Sequence, residues 1–227
     1  MKKILLIFAI VMFLSSLILY FFFSGNSEKT VPDPGDNSSN QNTFPTAPQK
    51  ISDEEIKTQF EKHANAAAEQ TLSRTEIKYS SGQTVPLFDL AAPLSFRINP
   101  KVIEVLSQND YQFFSCGKNF GIKIVAGNTQ NIQRTKDLWE DEVRFRMSLW
   151  EPTLFSDLHA VLFPDATFSS QELAQPQEFK DGVFRYAEIK LPNGEKSSIN
   201  YTVNNDYIFI ATSSECLEKA ADNIFQE

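Results

Sequence analysis

The stretch FRYAEIKLPNGEKSSINYTVNNDYIFIATSSECLEKAADNIF (residues 184–225) decides the fold class. It reads as three short strands and a helix. Phe184–Leu191 and Ser197–Val203 are joined across Pro192-Asn193-Gly194, and Tyr207–Thr212 follows the turn Asn204-Asn205-Asp206. Tight turns of this composition join antiparallel neighbours, whereas parallel strands need long crossovers. The closing helix has Leu217, Ala220, Ala221, Ile224 and Phe225 at helical spacing, with Thr212 and Glu215 as its expected capping box.

Upstream, Tyr111–Cys116 and Phe120–Val125 form a second expected hairpin around Gly117-Lys118-Asn119. Helices are signalled at four earlier places. Ser52 and Glu55 make a capping box for a helix running to about Leu72, with Ile56, Phe60, His63 and Ala67 on one face. Asn99 caps a short helix begun by Pro100, which should turn Val102, Ile103 and Leu106 inward and end near Ser107. Gln130–Leu149 carries Ile132, Trp139, Val143, Met147 and Trp150 along one stripe. Pro152 should then start a separate helix to Phe163, because proline removes an amide donor and crowds the preceding turn. The expected fold is therefore α+β: an antiparallel sheet of about five strands with packed helices. The exposed side of that sheet is the expected contact surface. The 20 phenylalanines of the chain suit its core.

Outside this domain, assigned to residues 51–227, the chain changes character. Lys2 and Lys3 precede an uncharged run from Ile4 to Phe23, interrupted only by Ser15 and Ser16. About 20 residues at ~1.5 Å rise match the hydrocarbon thickness of a bilayer, about 30 Å. The run ends in Tyr20-Phe21-Phe22-Phe23 rather than in small residues, which favours an uncleaved transmembrane anchor over a signal peptide. The leading lysines place residues 1–3 in the cytoplasm and the rest outside, in a single-pass arrangement in the cell membrane. Residues 24–50 are rich in Ser, Asn, Pro, Gly and Asp and read as a disordered linker. Beyond the anchor, the 21 basic residues less Lys2 and Lys3 face 29 acidic ones, a net charge of about −10. Such a surface repels nucleic acid, so the expected contacts are the membrane, through the N-terminal helix, and an envelope protein partner.

Few residues could carry chemistry. An extracytoplasmic pair, Cys116 and Cys216, is a disulfide candidate closing a loop of about 100 residues. Two buried free thiols are the alternative. A third reading makes Cys216, at a helix N-terminus, a catalytic thiol with His159 as its base. That order of His before a strand-terminal Cys is similar to the sortase transpeptidases, a family also anchored outside the membrane. Those enzymes place an arginine soon after the cysteine; Leu217–Glu227 contains none, so Arg185 would have to act from another strand. Only two histidines exist, His63 and His159, and no zinc spacing, calcium loop or phosphate-binding glycine loop appears. Neither metal nor cofactor is called for. Asp157 and Asp165, near Pro164, could hold a cation or simply end a helix. The sequons at Asn37 and Asn200 matter only in a glycosylating host.

One resemblance extends over the last 120 residues or so. The pattern Trp150-Glu151-x-x-Leu154-x-x-Asp157-Leu158-x-x-x-Leu162-Phe163 is followed by Phe179-x-Asp181-x-x-Phe184-Arg185-Tyr186. Ser198-Ile199-Asn200-Tyr201-Thr202-Val203 and Ile208-Phe209-Ile210-Ala211-Thr212-Ser213 come after it. Together they resemble an uncharacterised group of membrane-anchored extracytoplasmic proteins of candidate-phylum bacteria of the Patescibacteria type. The resemblance implies a bacterial cell-envelope setting and transfers no catalytic residue. The sequence thus points to a non-enzymatic binding or interaction module, with a thiol-dependent transpeptidase or hydrolase and a structural subunit of a secretion or appendage complex as alternatives.

Overall fold

The computed structural model describes residues 50–66, 72–127, 136–204 and 206–222. The apolar run 4–23 and linker residues 24–49 lie outside them. No helix among the described residues is long and apolar enough to cross a membrane.

Helix α1 (Asp53–Ala66) starts where its capping box requires. The Ser52 amide donates to Glu55 Oε2 at 2.9 Å and the Glu55 amide donates to Ser52 Oγ at 3.2 Å. Ile56, Phe60 and His63 form its buried face. Ala67 falls outside the described residues. Leu72 does not end this helix but opens strand β1 (Leu72–Thr75). A 3₁₀ turn (Leu87–Leu90) and α2 (Pro100–Ile103) follow. The Asn99 side chain caps α2 by accepting the Lys101 amide at 3.0 Å. With only four residues, α2 buries Val102 and leaves Ile103 exposed; Leu106 is buried as the first residue of β2 instead.

Strands β2 (Leu106–Cys116) and β3 (Asn119–Ala126) form the expected hairpin, turned by Gly117 at φ +62°. Helix α3 (Lys136–Leu162) is a single helix that runs through Pro152 and so replaces the two expected ones. Pro152 and Ser148, the residue whose carbonyl loses its donor, are both exposed, so water can satisfy that group. On the other side Trp150, Leu154, Phe155 and Leu158 are buried. At ~1.5–3 kcal/mol per buried side chain, their packing outweighs a proline penalty of about 3 kcal/mol. After a one-turn helix α4 (Ser170–Leu173) come β4 (Arg185–Lys190), β5 (Lys196–Asn204) and β6 (Tyr207–Ala211). Helix α5 (Ser214–Asp222) closes the fold. Its cap is Ser213, whose Oγ accepts the Cys216 amide at 3.2 Å. Thr212, the expected cap, is held by β3.

The sheet is antiparallel with six strands, one more than expected, in the order β1-β2-β3-β6-β5-β4. The extra strand is β1, an edge segment of sequence Leu-Ser-Arg-Thr paired with β2 from Leu72↔Cys116 to Thr75↔Phe113. Strand alternation sends Ile122, Ile124, Ile199, Tyr201, Ile208 and Ile210 to one face, in one core cluster with α1 and α3. Phe114, Phe209 and Ala211 point to the other, against Cys216, Leu217 and Ala220 of α5. Both faces therefore carry a helix, but α5 covers only one end of the second, where Gln112, Lys123, Thr202 and Tyr207 remain half-buried. Asn200, in β5, is 4 % exposed, which closes its sequon to glycosylation.

Candidate functional site

Cys116 ends β2 and Cys216 lies in the first turn of α5. Their Cα atoms are 5.6 Å apart and their sulfurs are bonded to one another. No cysteine is left free, so no thiolate nucleophile is available in this state. His159 belongs to the opposite side of the sheet. It sits in the last turn of α3, between the rings of Phe155 and Phe168, with Nδ1 3.0 Å from the Ser156 carbonyl oxygen. Cys216 is in the cluster under α5. The fold does not bring the two together.

Arg185 serves a different purpose from the oxyanion role considered above. Its Nε and Nη2 donate to the two oxygens of Glu151 at 2.9 Å each, and its Nη1 donates to Asp181 at 2.7 Å. Tyr201 completes the group by donating its hydroxyl to Glu151 Oε1 at 2.6 Å. Hydrogen bonds to the carboxylates push the Arg185 pKa up, and burial followed by the hydrogen bond to Glu151 pushes the Tyr201 phenol up. Both groups hold their protons more tightly than usual. The cluster is a clamp between α3 and strands β4 and β5 rather than a proton-transfer relay. Asp157 is likewise committed. It is buried, accepts Trp150 Nε1 at 2.9 Å and pairs with Arg97 Nε at 3.1 Å. Among the described residues no three His, Cys, Asp or Glu side chains are grouped to hold a metal ion.

A concavity lies at one end of the sheet. Strand β6 ends at Ala211, opposite Gly121 of β3 and Asn200 of β5. Its neighbours β3 and β5 run on beyond that level, to Asn119 and Lys196. The result is a gap between two hairpin tips. Thr212 forms its inner wall: its amide donates to the Phe120 carbonyl at 2.9 Å, and its hydroxyl accepts the Phe120 amide at 3.0 Å. That hydroxyl also donates to Asn119 Oδ1 at 3.3 Å. The loop after α3, through Asp165 and Thr167, closes one side and leaves a cleft of 570 Å³.

The tip of the β4–β5 hairpin is fixed from within. Leu191 donates its amide to the Glu195 carbonyl at 2.9 Å, and Gly194 donates back to the Leu191 carbonyl at 2.9 Å. Asn193 Oδ1 accepts the Glu195 amide at 3.0 Å, while Gly194 takes the φ of +87° that the turn needs. Phe120, Leu162 and Phe163 give the cleft an apolar floor, and each is under a tenth exposed. The rim is polar, and Lys118, Asp165 and Lys196 on it are exposed. None of these three has an ion-pair partner among the described residues.

The sequence marked the two turns as turns, but had no signal that their tips share one end of the sheet. Comparison with protein-family models, curated proteins and solved structures finds no match for this chain.

Proposed function

We propose that this chain is a membrane-tethered interaction module, non-enzymatic, held outside the cytoplasm in a bacterial cell envelope. The observation that carries the reading is the Cys116–Cys216 bond. Disulfides persist in oxidising compartments and are rare in the cytoplasm. The side of the membrane favoured by that bond is also the side favoured by Lys2 and Lys3 ahead of the apolar run Ile4–Phe23. The linker, residues 24–50, would give the domain lateral reach from its anchor. The resemblance of Trp150–Ser213 to anchored envelope proteins points the same way. A binding role is favoured over catalysis because the cysteines, Arg185 and Asp157 are already committed. The two sulfurs are bonded to each other, and Arg185 and Asp157 are held in internal ion pairs.

The test is protease protection in intact spheroplasts, with the cysteines assayed by non-reducing mass spectrometry. The domain should be digested from outside while its N-terminal segment stays with the membrane, and the pair should be oxidised. A protected domain carrying two free thiols would sink the proposal. Residue-resolved cross-linking in the same cells should then join the domain to a second protein. Cross-links only between copies of this chain would turn the reading toward a structural subunit.

A further inference from the structure

We infer that the cleft at the sheet end binds a short extended peptide segment, presented by the partner of the module. The inference rests on the interaction reading and adds the site and the ligand class.

Three features select a peptide. The first is an open main-chain edge. Leu191 donates to the Glu195 carbonyl, so strand alternation turns Glu195 and Ser197 toward β4 and Lys196 toward β6. Strand β6 has already ended at Ala211, and the Lys196 N–H and C=O therefore face the gap. A strand-like segment entering there can add two main-chain hydrogen bonds, as in strand addition at a sheet edge. The second is the floor. Phe120 and Phe163 are 6 % and 8 % exposed and so offer little ring surface to the cleft. This suits an aliphatic side chain better than a sugar ring, which needs an exposed aromatic platform. The third is the rim, where Lys118 and Lys196 stand with Asp165. A free phosphate would meet the carboxylate, whereas a peptide carries both signs of charge or neither. The 570 Å³ volume falls within the usual range for ligand clefts, about 300–1,000 Å³. About three extended residues, ~10 Å of chain, is the expected length.

Phage-displayed random heptapeptides panned on the full chain in lipid nanodiscs provide the test. Clones should be enriched, and their binding should fall at least about tenfold on a variant with Thr167→Trp and Lys196→Trp. Both positions are exposed, so the fold should survive, as an unchanged melting temperature and an intact disulfide would show. A second variant, Lys118→Glu with Lys196→Glu, should weaken clones bearing Asp or Glu and spare neutral ones. Failure to enrich any clone, or equal binding to the filled variant, overturns the inference. So does binding of diacetylchitobiose, lost on filling, in the absence of peptide binders. If cross-linking to a partner in cells persists undiminished in the filled variant, the cleft assignment fails while the interaction reading stands. If cross-linking is absent from the unaltered chain as well, that reading fails too.

Discussion

The two faces of the sheet are closed by different means. The α3 face is broad: a 27-residue helix lies against it, with Trp150, Leu154 and Leu158 all but fully buried beneath. The α5 face is narrow, a nine-residue helix over Phe114, Phe209 and Ala211. Burial scales with apolar area, at roughly 25 cal/mol per Å². The first face can hold itself by packing alone. The second has little area to bury, and there a covalent bond ties helix to strand. The disulfide thus sits where packing is least able to hold an element, and not in the main core.

The largest effect should come from the broad face. Trp150→Ala removes a side chain with no measurable exposure and leaves the buried Asp157 without its indole donor. A loss of about 3–5 kcal/mol is expected from the cavity, with more from the orphaned carboxylate. Urea unfolding of the full chain in detergent would measure it. Replacing Cys116 and Cys216 by Ala comes next, at ~2–5 kcal/mol. These two variants should differ in kind as well as in size. Hydrogen exchange on the disulfide-free chain should show protection lost over Ser214–Asp222 and kept over α3. Equal loss over both helices would mean that the bond supports the whole fold rather than α5.

The same contrast explains what could be read in advance. Five of the six strands and the α5 helix followed from turn residues and alternation, because their local signals agree with their tertiary roles. Strand β1 did not, since Leu72-Ser73-Arg74-Thr75 has no apolar alternation and becomes a strand only by pairing with β2. The extra half-strand before Tyr111 was hidden by Ser107-Gln108-Asn109-Asp110, where the β2–β3 register is irregular. Helix α3 contradicts a local rule, and tertiary packing on both sides of Pro152 is what overrides it. The cap of α5 moved by one residue because Thr212 bonds to Phe120, a contact across 92 positions that no window of sequence contains. The cleft was invisible for the same reason: its walls come from three separated turns.

A smaller effect would sharpen the account of how α3 is anchored. Glu151→Gln keeps the shape but removes the charge that Arg185 and Tyr201 share. Charged hydrogen bonds of this kind contribute about 1.5–3 kcal/mol. The loss should fall near the low end, since Arg185 keeps Asp181 and a third of its side chain reaches solvent. Thermal unfolding with Glu151→Gln and Arg185→Gln, singly and together, would resolve the coupling; additive losses would mean that the clamp carries no energy of its own.

The smallest effect belongs to the far end of the broad face, where α1 docks. His63 is buried, its Nε2 has no hydrogen-bond partner among the described residues, and burial lowers its pKa. The folded state therefore favours the neutral ring, while the unfolded state takes up a proton below the ordinary histidine value of about 6.5. Stability from this group is fully present above that pH and is lost as the pH falls through the lower, folded-state pKa. One proton limits the slope to about 1.4 kcal/mol per pH unit. Denaturation midpoints measured between pH 7.5 and 5 should fall for the unaltered chain and fall less for His63→Gln. Because Phe60, one turn away, packs edge-on to Phe113 at 5.2 Å, the loss should appear first as fraying of α1 from β2. Identical pH profiles for the two chains would mean that the buried ring is already hydrated, and that α1 is docked more loosely than its apolar face implies.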